Sequence, residues 1–307
     1  MNIEEMITKA AADGASDIHI VCGAPPKYRI DGQLHSMMAA PLSKDMCEVY
    51  GRELAEDSYD IVKTMGELDM AKTIAGVRVR MNIFRQQGCL SIALRLLSND
   101  IPRIKDLGLP SIVSQFPLWN QGIVLVTGET GSGKSTTLAA VLNEINHLKQ
   151  GHIITLEDPI EYIYTPAQCV INQREIGVDT RSYADGLRAI LRGDPDVIFI
   201  GEMRDRSTVE TALHAAETGH LVFSTLHTNS APAAIDRIVG LFPPESQAQV
   251  RMELSLCLKA VVSQQLLPKK SGKGRVAACE VMVVNQAIRH LIREGKTPQM
   301  YSAMLSG

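Results

Sequence analysis

The chain has 307 residues, 45% hydrophobic and 21% charged, enough for two ordinary domains and inconsistent with a largely disordered protein. Its net charge of −3 excludes a bulk electrostatic footprint for DNA or RNA. No apolar run reaches the length of a membrane span, and the six scattered cysteines form no C-x-x-C pair, which argues against a zinc ribbon or a disulfide framework.

The amino terminus, MNIEEMITKAAADG, carries early glutamates and lacks the apolar core of a signal peptide, which suits a cytoplasmic protein. Ile3, Met6, Ile7 and Ala10 recur at helical spacing, with Gly14 as the C-cap. DIHIV reads as a strand, followed by KYRI and QLH as a hairpin turned by Asp31-Gly32. A helix is expected from Ser43, its N-cap, to about Asp60. GVRVRMNIF alternates, with Val77, Val79, Met81 and Ile83 on one face and Arg78, Arg80 and Asn82 on the other. Gln86-Gln87-Gly88 turns it into CLSIALRLL, which carries Arg95. These residues, 1–99, read as a small α+β domain, and the proline-containing stretch 100–110 as a linker.

From 111 to 307 the texture changes to strands alternating with helices. GIVLVTG, HIITLE, DVIFIG and HLVFSTLH are strands; 134–148, 181–192 and a segment with capping-box spacing at Ser207 and Glu210 are helices. That order predicts a parallel sheet with helices on both faces. From about 243 the sequence reads as a long helix, a β segment (GRVAACEVMVV) and two short helices. In the first of these, AIRHLIREG, Asn285 is the N-cap and Gly295 the C-cap. Ile288, Leu291 and Ile292 form its packing side, and Arg289 and Arg293 lie opposite with Gln286, His290 and Glu294.

The strongest chemical signal is GETGSGKS, a complete G-x-x-x-x-G-K-[ST] between a strand and a helix. Gly128, Glu129, Thr130, Gly131, Ser132 and Gly133 form a loop whose N–H groups cradle phosphate, and the helix that follows adds its positive dipole end. Lys134 is expected to reach the β- and γ-phosphates, and the Ser135 hydroxyl, next to Thr136, to ligate Mg²⁺. The cofactors expected are therefore ATP and Mg²⁺.

Three further groups close neighbouring strands. LEDPIEY places Glu157, Asp158 and Glu161 around a proline turn, and reads equally as a solvated acidic loop. DVIFIGEMRD ends a buried strand with Gly201 and Glu202, where a generic P-loop protein has an aspartate that helps hold Mg²⁺. Glu202 alone is also compatible with a plain helix-start charge. GHLVFSTLHTNSA opens on His220 and ends on His227, and a lone histidine is often structural.

Taken in order, GETGSGKST, LEDPIEY, the run from LRGDPDVIFIGEMRD to STLHTNSA, and AIRHLIREGK resemble the secretion ATPase superfamily of type II secretion and type IV pili. Within it, the likeness is to the pilus-retraction (twitching motility) ATPases. It extends to ASDIHI and PPKYRIDGQL in the first domain. The resemblance implies a PAS-like first domain, a RecA-like ATPase domain, and a homohexamer working against an inner-membrane pilus platform protein. The membrane would be met only peripherally, and nucleic acid not at all.

By the same likeness Glu202 is the catalytic carboxylate, and Asp158 and Glu157 support Mg²⁺ with Ser135. His220 and His227 belong to the site, Arg78, Arg80 or Arg95 reaches the γ-phosphate, and AIRHLIREG is needed for retraction. Family members are expected to continue some tens of residues beyond Gly307. The alternative implied is a pilus-extension or type II/IV secretion assembly ATPase, which usually carries a four-cysteine zinc motif that this sequence lacks. A nucleic-acid motor would want a basic groove or stacking aromatics, and only 4% of the residues are aromatic. A nucleotide-binding scaffold without hydrolysis would have little use for Glu202.

Overall fold

The structure, a computed structural model, describes residues 1–97, 100–271 and 274–305. Ser98 and Asn99, at the expected domain boundary, and the terminal Ser306 and Gly307 lie outside the described residues. The chain divides into two compact units: Met1–Asp100 with Glu161–Ile163, and Ile101–Ile160 with Tyr164 onward. The stretch read as a linker therefore groups with the second unit from Ile101, and it holds a 3₁₀ turn, Ile104–Asp106, with Ile104 buried.

In the first unit the helix α1 (Ile3–Ala12) starts at Asn2, whose side chain accepts from the Glu5 N–H while Glu5 bonds back to the Asn2 N–H. Its buried stripe is Ile3, Met6, Ile7 and Ala10, as the spacing implies, and each large member stabilises by roughly 1.5–3 kcal/mol. Strands β1 (Asp17–Val21), β2 (Lys27–Ile30) and β3 (Gln33–Ser36) follow, and Asp31 and Gly32 make the β2–β3 turn with φ of 48° and 82°.

The helix expected from Ser43 to Asp60 is broken. It runs as α2 (Lys44–Ala55), a 3₁₀ turn, and α3 (Tyr59–Met65), with Glu56 at φ 47° between them. Asp57 and Ser58 favour local turn hydrogen bonds over a helix interior, which weakens continuity there. Strand β4 (Glu67–Ile74) was not assigned from sequence, because an edge strand with charged and alanine positions has weak β character. β5 (Val77–Gln86) and β6 (Cys89–Leu97) complete an antiparallel sheet of order β3-β2-β1-β6-β5-β4. Val79, Met81 and Ile83 of β5 are fully buried against α1 and α2 in one core.

The second unit holds β7 (Gly122–Thr127), α4 (Lys134–Leu148), β8 (His152–Glu157), β9 (Val170–Glu175) and α5 (Tyr183–Ile190). It continues with β10 (Val197–Ile200), α6 (Arg206–Glu217), β11 (Leu221–Leu226), α7 (Ala231–Val239) and α8 (Pro244–Cys257). It ends with β12 (Leu258–Pro268), β13 (Arg275–Val283), α9 (Gln286–Arg293) and α10 (Thr297–Leu305). The sheet order is β13-β12-β7-β11-β10-β8-β9, parallel from β12 to β9 with β13 antiparallel at one edge. Ile123 and Leu125 of β7 face a core shared with α5 to α9, whereas the equally buried Val124 and Val126 face α4. Helices thus cover both faces, as the alternation predicts.

Two strands were not assigned from sequence. β9 lies at the sheet edge and is mostly polar, and β12 continues an apolar run that begins inside α8, where periodicity cannot mark the change. The start of α6 also differs. Asp205 caps it through the Thr208 N–H at 2.9 Å, and Glu210 pairs with Arg206 instead of closing a capping box with Ser207.

Helix α9 has the expected cap, Asn285, and buries Ile288 and Ile292. Its polar side is not simply solvated. Arg289 Nη1 donates to the Ser255 and Leu256 carbonyls, at 2.6 and 2.9 Å, at the carboxyl end of α8. Arg293 Nη1 reaches Ser255 Oγ at 3.4 Å. A cation on the last carbonyls of a helix satisfies orphan acceptors and opposes the dipole. Arg289→Ala should therefore lower the stability of the second unit by about 1–2 kcal/mol, read by urea denaturation. A wild-type midpoint would show that water replaces the arginine without loss.

Candidate nucleotide-binding site

Strand β7 is buried along its whole length and delivers the chain to Gly128 at the carboxyl edge of the sheet. There φ is 142°, and a Cβ would lie 2.2 Å from the Gln264 carbonyl oxygen and 2.6 Å from Ser132 Oγ. Only glycine fits that approach. The loop then folds back on itself. Lys134, itself buried, donates from Nζ to the Gly128 and Glu129 carbonyls, both at 2.8 Å.

No side chain caps the first turn of α4, whose N-cap is Gly133, so its N–H groups face a ligand position at the positive end of a four-turn helix. Thr127 Oγ1 and Ser132 Oγ are buried without a hydrogen-bond partner. Orphaned polar atoms of that kind call for a ligand or water. The loop has the shape and the donors for a phosphate group.

Parallel pairing brings the next strand ends to the same edge. The Gly128 N–H donates to the Leu226 carbonyl at the end of β11. At the end of β10 the Gly201 N–H donates to the Leu156 carbonyl of β8 at 2.7 Å, and a Cβ on Gly201 would meet the Tyr183 hydroxyl at 2.8 Å. Glycine suits that close approach, because a side chain in its place must push Tyr183 or β8 aside.

Glu202 follows with its side chain 18% exposed; its Oε2 accepts from Arg204 Nε at 2.8 Å and lies 3.4 Å from His227 Nε2. The hydrogen bond to Glu202 holds the Arg204 guanidinium above its usual pKa. Burial, and then the charge of Asp158, push the Tyr183 hydroxyl up, so it stays protonated beside these acids. Glu157 is buried and accepts from Thr155 Oγ1 at 2.6 Å and Gln173 Nε2 at 3.3 Å, whereas Asp158 is exposed.

The whole arrangement has known counterparts. The sequence matches the Type II/IV secretion system protein family over residues 1–305. The chain belongs to that family. It is 44% identical to the type IV pilus retraction ATPase PilT of Pseudomonas aeruginosa, over all of this chain and 90% of that protein. It is 46% identical to a twitching motility protein of Neisseria gonorrhoeae, over 92% of this chain and 76% of the other. Among solved structures, the pilus retraction motor PilT with bound ADP superposes with a TM-score of 0.94 at 50% identity, covering 99% of this chain and 89% of the other. The Legionella pneumophila ATPase DotB gives 0.83 at 29% identity, covering 99% and 86%.

The secretion-family fold gathers Gly128 to Thr136, Glu157, Asp158, Glu202 and His227 at one sheet edge. It does not gather His220. That residue precedes β11, beside Gly122 at the opposite edge, and its Nδ1 is held by the Ala215 carbonyl at 2.8 Å. Six strand residues at about 3.3 Å each separate it from the loop's edge. Glu161 groups with the first unit.

Arg78, Arg80 and Arg95 also belong to that unit, where Arg80 stands directly across from Arg95 on the paired strands. Arg95 Nε binds Asp17 at 3.1 Å, and Arg80 lies 3.9 Å from Asp69. Sequence reasoning assigns no role to Arg204, Tyr183 or Gln264. Arg204 had a readable signal, a cation two residues from the acid at a strand end. Tyr183 and Gln264 come from elements whose approach to the site depends on tertiary packing.

Gly201→Ala should lower the thermal stability of the protein, by about 1–3 kcal/mol at the midpoint, because the methyl must displace Tyr183 or β8. An unchanged melting curve would mean that this packing yields freely.

Proposed function

We propose that this chain is a motor ATPase that hydrolyses ATP to drive type IV pilus retraction. The observation that carries the reading is the P-loop cradle joined along one sheet edge to Glu202, in a chain that follows the retraction motor with bound ADP nearly end to end. Hydrolysis of a γ-phosphate depends on positioning and charge neutralisation more than on covalent chemistry. Glu202, held by Arg204 and His227, orients the attacking water and receives its proton. Lys134 carries its charge to the β- and γ-phosphates from the loop mouth.

Among the described residues no group of three His, Cys, Asp or Glu is placed to hold a metal alone. Mg²⁺ is a hard ion that keeps water and nucleotide oxygens as ligands and takes few from protein. Ser135 and the exposed Asp158 are the oxygen donors that would hold it, where it would offset phosphate charge. Glu157, tied to Thr155 and Gln173, would support it at one remove.

The further cation is assigned to Arg78, Arg80 or Arg95. Two arginines opposed on paired strands repel, and Asp17 at Arg95 and Asp69 near Arg80 offset part of that repulsion. The working unit is taken as a homohexamer, acting in the cytoplasm at the inner face of the membrane on the pilus platform protein. None of the described helices is long and apolar enough to cross a membrane.

Glu202→Gln should keep nucleotide affinity within about threefold while turnover falls by about a hundredfold or more. Fluorescent-nucleotide titration and steady-state ATPase assays check this, and near-normal turnover overturns the role of Glu202. Cells carrying Lys134→Ala should keep surface pili and stop twitching. Loss of the pili themselves would favour the extension ATPase instead.

Mixing Lys134→Ala subunits with subunits lacking the relevant arginine should restore activity above the sum of the two if the arginine serves a neighbour's nucleotide. A strictly additive mixture places it on its own subunit's nucleotide or removes it from catalysis.

A further inference from the structure

Gln264 is a buried polar side chain that the reading above leaves without a role. It stands on β12, which pairs in parallel with β7 up to Ser263↔Thr127, so the next residue of each strand meets at the start of the phosphate loop. Its two amide atoms are both engaged. Nε2 donates to the Ser132 carbonyl at 2.8 Å, and Oε1 accepts from Thr137 Oγ1 on α4 at 2.8 Å.

The consequence for the loop follows from the planarity of the peptide unit. In a trans peptide the carbonyl and the following N–H point in opposite directions. A Ser132 carbonyl turned to Gln264 therefore aims the Gly133 N–H the other way, toward the phosphate cradle. Lys134 Nζ holds the Gly128 and Glu129 carbonyls. Between them, these two side chains fix three of the loop's carbonyls. A Cβ on Gly133 would lie 2.7 Å from Gln264 Nε2, so the glutamine also occupies the space that any larger loop residue would need.

The Ser132 carbonyl sets the direction of the amide. A carbonyl can only accept, so the NH₂ end must face it, and the Thr137 hydroxyl, which can donate or accept, donates to the remaining Oε1. Glutamate is nearly isosteric but would oppose the Ser132 carbonyl with an oxygen. It would also bring negative charge next to a phosphate site.

We infer that Gln264 is a positioning residue for nucleotide binding: from the neighbouring strand it holds the phosphate loop in the shape that presents its N–H groups to the β-phosphate. This rests on the ATPase reading and deepens it.

The test uses the full-length chain and fluorescent ADP. Gln264→Ala should weaken ADP about tenfold, as expected for hydrogen bonds that shape a preformed site, and Gln264→Glu should weaken it further. In ATPase assays the KM for ATP should rise by a similar factor, while kcat at saturation stays within about threefold. Thr137→Ala should weaken ADP by a smaller factor, and Gln264→Ala with Thr137→Ala should bind no worse than Gln264→Ala alone, because the two act as one unit.

ADP affinity of Gln264→Glu equal to wild type would overturn the inference. So would a loss of melting temperature in Gln264→Ala with KM unchanged, which marks a packing role. Because Gln264→Ala could simply unfold, the milder Thr137→Ala is the second arm, and an unaltered KM in a folded Thr137→Ala together with wild-type affinity in Gln264→Glu also overturns it. Wild-type protein that fails to bind ADP at all, like Lys134→Ala, would sink the ATPase reading itself, a result distinct from any of these.

Discussion

Everything this protein is built to do depends on the direction in which a few peptide groups point. A glycine-rich loop has no inherent preference for presenting its N–H groups inward, and left to itself it would sample many shapes. Here the carbonyls of Gly128, Glu129 and Ser132 are each taken by a side chain, two by Lys134 and one by Gln264. The donors that remain converge with the uncapped first turn of α4. Preorganised dipoles of this kind bind an anion without the cost of reorienting when it arrives.

The same economy of space governs the acidic side of the site. Parallel strands β7, β11, β10 and β8 bring their carboxyl ends to one edge, the place where open α/β sheets bind ligands. At the end of β10 the chain approaches β8 and Tyr183 so closely that a larger residue must displace one of them. The acid is consequently displaced by one residue to Glu202, beyond the strand, where Arg204 and His227 fix its carboxylate. A carboxylate held there is suited to water, and the Ser135 hydroxyl and the carboxylate of Asp158, just past the end of β8, are other oxygens at this edge.

The parts of this architecture that sequence could reveal are those written in local pattern. Buried strands such as VIFI and the P-loop with its flanking strand and helix carry their own signals, and the expected 134–148 helix matches α4. The elements that escaped are edge strands and a helix-to-strand change inside a continuous apolar run, β4, β9 and β12. Their identity is decided by what they pair with. Gln264 is the clearest case, since nothing around it in LKAVVSQQLLP distinguishes it from Gln265, and only pairing with β7 places it against the loop. His220 shows the converse: proximity in sequence to a strand that reaches the phosphate loop does not bring both ends of that strand to the same edge.

Helix α9 shows how one surface segment carries a structural constraint alongside any role toward a partner. The family likeness singles out this helix, and its arginines would be the natural choice as contact residues. The structure commits Arg289 to the last carbonyls of α8, immediately before β12 begins, and brings Arg293 to Ser255 in the same turn. Those carbonyls would otherwise end a helix without a side-chain partner. Arg289 is thereby tied to the start of the strand whose far half seats the phosphate loop. A contact surface independent of that support has to be drawn from the residues that α9 and its caps leave exposed, among them Gln286, His290 and Glu294. Substitutions at these three positions separate engagement of a partner from support of the nucleotide site, whereas substitutions at Arg289 mix the two.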